Sequence, residues 1–194
     1  MFIGKIVSGT SHVDYVCQVY GPGETPAPPH PEDYGFGTFV GIEQAEGGEL
    51  VGVIYNTTLM NPEFGNLGPR LSPQEELAVF SPDYLAEKVT LVAVVILGML
   101  GEAGAARQGV PVVAASLDAR VRRLGREEII AFHRWGRGLR LGYLPRLAAM
   151  NHPLAPHLML SLINTLGELF PGEAQRLAIL AGNFSWKSRV EPVG

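Results

Sequence analysis

The sequence predicts an α+β protein in two parts: a small β-barrel over residues 1–124 and a helical segment over residues 125–194. Three observations carry the prediction. Short apolar runs joined by Gly- and Pro-rich turns recur through the first part at near-regular spacing, as in small barrels and sandwiches. The most apolar run, Val89 to Leu100 (VTLVAVVILGML), is dense in β-branched residues and suits a central strand buried on both faces. It is also too short to cross a bilayer, which takes about 20 residues. After Gly125 the apolar period changes from that of a strand to that of a helix.

Taken in order, Phe2 to Val7 is a short strand, and His12 to Tyr20 is a second with Val13, Tyr15, Cys17 and Val19 on one face. Gly21 to Asp33 is an irregular, proline-rich loop, because proline lacks the donor a ladder needs. Thr38 to Ile42 and Leu50 to Tyr55 form a hairpin about Glu46-Gly47-Gly48-Glu49. Asn56 to Leu71 reads as a polar connection, ending at Ser72-Pro73-Gln74-Glu75, a helix-start signal. Beyond the central strand and the turn Gly101 to Gly109, Val110 to Ala114 and Ala119 to Leu124 are expected to be extended. Arg126 to Trp135 is a helix with acids in its first turn and Arg134 in its last, stopped by Gly136. Leu154 to Phe170 is the longest helix, striped by Leu154, Leu158, Leu162, Leu166 and Leu169, and Glu173 to Ala181 is the last. So small a helical segment is marginal for a core of its own, so it is expected to pack on the barrel or on a partner.

Apolar residues make up 46% and charged residues 18%, the balance of a folded protein rather than a disordered one. The N-terminus has no basic stretch leading into an apolar segment and cleavage site, which points to the cytoplasm. The single cysteine, Cys17, excludes an internal disulfide framework and a multi-cysteine metal site. The net charge of -4 hides an asymmetry. Residues 1–115 carry four Lys and Arg against thirteen acids, a net of 4 - 13 = -9, and residues 116–194 carry eleven against six, a net of +5. Such a contrast suggests an anionic partner for the basic part, or neutralisation of one part by the other.

The strand segments also resemble a known family. Ile3-Gly4-Lys5-Ile6-Val7-Ser8, the strand from Val13 to Val19, Gly37-Thr38-Phe39-Val40, Leu50-Val51-Gly52-Val53-Ile54, Val92 to Gly98, then Pro111 and the strand up to Val121 follow one another in the rhythm of the HAS barrel. That barrel is shared by HerA-type DNA translocases and rotary ATP synthase subunits, and the resemblance covers roughly the first 124 residues. It implies a collar that assists ring assembly and docks a partner nuclease. A translocase continues into a nucleotide-binding domain with a GxxxxGK[ST] loop that cradles phosphates. No such loop occurs here, so ATP hydrolysis is not expected.

Catalytic motifs are absent from the sequence. His12, His30, His133, His152 and His157 form no metal-ligand spacing, so neither a metal nor a cofactor is expected. Ser8, Ser11 and Ser116 lack a GxSxG elbow, and Glu75-Glu76 and Glu127-Glu128 sit at helix starts that already account for them. The basic series Arg120, Arg122, Arg123, Arg126, Arg134, Arg137 and Arg140, with Trp135 among them, offers phosphate contacts and a stacking ring. The alternative is that these arginines neutralise the acidic barrel. The expected function is therefore a non-enzymatic interaction module tied to DNA processing, with a translocase or nuclease subunit, or a second copy, as partner. A small hydrolase or ligand-binding enzyme with a dispersed site, and a direct but weak nucleic-acid binder through residues 120–140, are the alternatives.

Overall fold

A computed structural model describes residues 1–61, 89–101, 104–136 and 138–190, with residues 185–190 described as backbone only. The described strands are β1 (Phe2–Ser11), β2 (Asp14–Val19), β3 (Phe39–Glu43), β4 (Glu49–Met60), β5 (Val89–Leu100), β6 (Ala106–Gln108), β7 (Arg120–Arg123), β8 (Arg134–Trp135) and β9 (Gly138–Leu139). The helices are α1 (Arg126–His133), α2 (Leu144–Ala148), α3 (Ala155–Leu169) and α4 (Ala174–Val190). Six antiparallel strands close into an N-terminal barrel in the order β2-β1-β7-β3-β4-β5, with β2 pairing back onto β5. The sixth pairing removes the edges that an open sheet would expose.

Strand alternation divides the apolar side chains between two cores. Ile3, Ile6, Tyr15, Cys17, Val40, Ile42, Leu50, Ile54, Val92, Val94, Ile96 and Val121 point inward and fill the barrel. The interior is thus a core packed by these apolar side chains. The alternate residues Phe39, Val51, Val53, Tyr55, Val95 and Leu97 point outward, where Phe132, Tyr143, Leu147, Leu158, Leu162 and Leu166 cover them. Because β5 contributes Val94 and Ile96 to one core and Val95 and Leu97 to the other, its middle is buried on both faces, as its continuous apolar run requires. The helices therefore complete the barrel's outer core rather than forming one of their own.

The hairpin between β3 and β4 turns where expected, with Gly47 and Gly48 at φ 88° and 74°, a region that side chains rarely adopt. Gly4, in β1, lies so close to β2 that a Cβ there would collide with the Gln18 carbonyl.

Several expectations are corrected. Asn56 to Met60 are not a connection, because they extend β4 along β5 as far as the pair Met60 and Val89. The helix start at Ser72 lies outside the described residues. Val110 to Ala114 form no strand. Pro111 lacks a ladder donor, and Val112 is 89% exposed, so the seventh strand of the sheet is instead β6, within the stretch read as a turn. α1 stops at His133, and Arg134 and Trp135 enter a two-stranded hairpin with β9 about Gly136, whose φ is 58°. The short α2 was not anticipated, and α4 runs past Ala181 to Val190. α3 lies within one residue of its expected bounds at either end, burying Leu158, Leu162 and Leu166 from the predicted stripe.

Candidate functional site

The basic series separates into two groups. Arg120, Arg122 and Arg123 lie on β7, next to β1 and β3, and each meets an acid of the N-terminal part. The Arg120 guanidinium donates to Glu43 at 2.8 Å, and Arg123 donates to Asp33 at 3.2 Å. Arg122 donates to both carboxylate oxygens of Glu49, Nε and Nη2 each at 2.5 Å, and also to Glu128 in the first turn of α1. Gly41 leaves room for this fork, since a Cβ there would lie 2.8 Å from the Glu49 carboxylate. Glu128 in turn accepts from the Gly125 N–H at 2.7 Å, so one cluster joins β4, β7 and the start of α1. The Arg122 guanidinium holds the Glu128 carboxyl below the usual carboxylate range, and Glu128 and Glu49 hold the Arg122 guanidinium firmly charged. These arginines neutralise the acidic barrel.

Of the remainder, Arg126 is exposed and lines, with Arg123, Ser161 and Thr165, a cleft of about 350 Å³ between the barrel and α3. Arg137 lies outside the described residues. Trp135 and Arg140 come together on the β8–β9 hairpin, with the Arg140 guanidinium 4.8 Å from the centre of the Trp135 ring. They stand at one end of a groove of about 760 Å³ floored by Leu139, Leu141, Leu144, Leu180 and Phe184, with Arg176 on the α4 wall. Arg134 is exposed beside Trp135. Sequence reasoning singled out Trp135 and Arg140 as a phosphate and base contact, but it missed the apolar floor. Its leucines are close in sequence only on the hairpin side, and α4 supplies the other wall.

The groove is held against the barrel by Gln108 of β6. Its side-chain amide donates to the Phe132 carbonyl at 3.2 Å and to the Arg140 carbonyl at 2.9 Å, and its oxygen accepts from the Gly142 N–H at 2.7 Å. One side chain thus satisfies three backbone groups around the hairpin. Gln108→Ala is expected to cost about 1 to 3 kcal/mol by leaving part-buried backbone groups unpaired, read as a lowered urea midpoint with an unchanged slope.

Beneath the hairpin, His133 is fully buried. Its Nδ1 lies 2.7 Å from the Ile129 carbonyl, an acceptor only, so Nδ1 carries the proton and Nε2 accepts from the Tyr143 hydroxyl at 2.8 Å. Phe39, Phe132 and Tyr143 meet the imidazole edge to face. Burial lowers the His133 pKa to about 4 and pushes the Tyr143 phenol up, so the pair is a neutral structural contact. Cys17, inside the barrel, is pushed up to about 12 by burial and is no nucleophile at neutral pH.

A second polar group joins β2, β4 and the turn before α3. The Tyr55 hydroxyl donates to Asp14 at 3.0 Å, and the His152 ring stands edge-on to Tyr55 with centroids 5.0 Å apart. Burial raises the Asp14 carboxyl, opposed by the Tyr55 hydrogen bond and His152, and raises Tyr55 to about 12. A third cavity, of about 420 Å³, lies against the proline-rich loop between Tyr20, Pro28, Pro29 and Tyr34. Neither it nor the groove nor the Arg126 cleft is lined by Asp14, Tyr55 or His152. Among the described residues, no three His, Cys, Asp or Glu side chains gather to hold a metal ion, and no helix is long and apolar enough to cross a membrane.

Fold and surface together define a filled β-barrel capped by helices, with an apolar groove edged by arginine. The chain belongs to the family described as Domain of unknown function (DUF8166), whose model matches residues 1–193. No curated protein matches it.

Proposed function

We propose that this protein is a non-enzymatic interaction module associated with DNA processing, and that it docks its partner through the groove between the β8–β9 hairpin, α2 and α4. The observation that carries the docking face is the conjunction of Leu139, Leu141, Leu144, Leu180 and Phe184 in one open groove with Trp135, 66% exposed, at its rim. Exposed tryptophan beside arginine over an apolar floor is the composition of binding hot spots. The DNA-processing context is supported by the resemblance of the barrel strands to the HAS barrel. The partner is then a translocase or nuclease subunit. A non-enzymatic role is supported by the use of His133, Tyr143, Cys17 and Arg122 in packing and ion pairing.

The test is affinity capture from native cell extract with the full chain and with Trp135→Ala, an exposed position whose loss leaves both cores intact. DNA translocase or nuclease subunits are expected with the wild type and lost with the variant. Repeated recovery of metabolic enzymes alone contradicts the DNA-processing reading. Recovery indifferent to Trp135 contradicts the groove.

A further inference from the structure

Among the residues that line the groove, the charged side chains are Arg140 and Arg176, both cationic. Arg176 also pairs with Glu173 at 3.6 Å, an i,i+3 contact in which the Arg176 side chain remains 65% exposed, so its charge is met only in part. Arg140 stands on the face of Trp135, which orients its guanidinium without neutralising it. The arginines of β7, by contrast, already hold carboxylates of the chain itself. Among the described residues, Arg140 meets no carboxylate, so unpaired positive charge borders the apolar floor on the hairpin side, and the partly paired Arg176 adds to it on the α4 side. A chain segment that fits must bring bulky apolar side chains for the floor and negative charge for the rim, because a basic segment would meet like charge on both walls.

Resting on the docking role proposed above, we infer that the groove takes a short acidic segment of the partner. Two large apolar side chains fill the floor over Leu144 and Leu180, and flanking carboxylates meet Arg140 and Arg176. A volume of about 760 Å³ holds a few such side chains and excludes a folded domain. Nucleic acid fits less well, since leucine, proline and phenylalanine on the floor offer no donors to phosphate.

A random peptide library displayed on phage, selected against the immobilised full chain, tests this. The expected result is enrichment of peptides with Leu, Phe or Trp flanked by Asp or Glu. A synthesised winner should lose about tenfold or more in affinity to Arg140→Glu/Arg176→Glu, weaken with salt, and bind poorly to Trp135→Ala. Melting curves of both variants confirm that they fold. Enrichment of neutral or basic apolar peptides that need Trp135 but tolerate charge reversal would overturn the acidic assignment and leave the docking role standing. Concentration-dependent self-association of the wild type that Trp135→Ala abolishes would make a second copy the occupant and overturn it too. If no selected peptide depends on Trp135, the inference and the docking role both fall.

Discussion

Folding stability is expected to fall by about 3 kcal/mol from His133 alone as pH drops from about 6.5 to about 4. In the folded protein the imidazole is held neutral down to about pH 4 by burial, against 6.5 for the unfolded chain. Between these values the unfolded state binds more protons, so stability is present above pH 6.5 and is lost as pH falls toward 4. At about 1.4 kcal/mol per pH unit the window amounts to about 3 kcal/mol, a large fraction of a small protein's stability. Protonation would also turn Nε2 from acceptor to donor and break its bond from Tyr143. Loss of the Arg122-bound Glu128 carboxylate at still lower pH acts in the same direction, whereas the raised Asp14 carboxyl opposes it. Urea midpoints at pH 7, 5.5 and 4.5 measure the slope, and His133→Gln should flatten it.

Replacing Arg122 by alanine is expected to cost about 3 kcal/mol, and lysine should restore only part. Without the guanidinium, Glu49 and Glu128 are left facing each other, their side chains 16% and 33% exposed. A half-buried acid pair without its cation is strongly destabilising, as is the breaking of buried ion pairs generally. Lysine supplies one point charge where the site uses a planar fork against two carboxylates. Arg120→Ala and Arg123→Ala, whose side chains are 57% and 50% exposed, should each change stability by about 0 to 1 kcal/mol. Thermal melts of the three variants rank them, and equal losses would mean that the Arg122 cluster has no special role.

The barrel strands were legible where one face is buried. Tyr15, Cys17 and Val19 are buried while Asp14, Val16 and Gln18 between them are half-buried, so the period of two survives in sequence with Val16 as its one apolar exception. The alternation disappears from Thr57 to Met60, where the backbone still bonds to β5 but the side chains are exposed. Hydropathy therefore has nothing to record there. Val110, Val112 and Val113 mislead in the opposite way, being apolar yet exposed. The charge asymmetry announced that the basic region could neutralise the barrel, but the pairing of Arg122 with Glu49, 73 residues apart, depends on β3 and β7 becoming neighbours. The groove was invisible for a similar reason. It needs the hairpin after α1, and the helical signal of Arg126 to His133 carried the sequence reading on through Trp135.

The arginines of β7 are held by carboxylates of the chain itself, and the face proposed for docking is the apolar groove. Fluorescence anisotropy with labelled single-stranded and duplex oligonucleotides at about 50 mM salt, where phosphate contacts count most, tests this assignment most directly. No binding to either is expected, and Arg122→Ala/Arg123→Ala/Arg126→Ala should lower the melting temperature. Tight binding whose logarithm falls with log salt at about -0.9 per phosphate on duplex, and whose slope flattens in that triple variant, would contradict it.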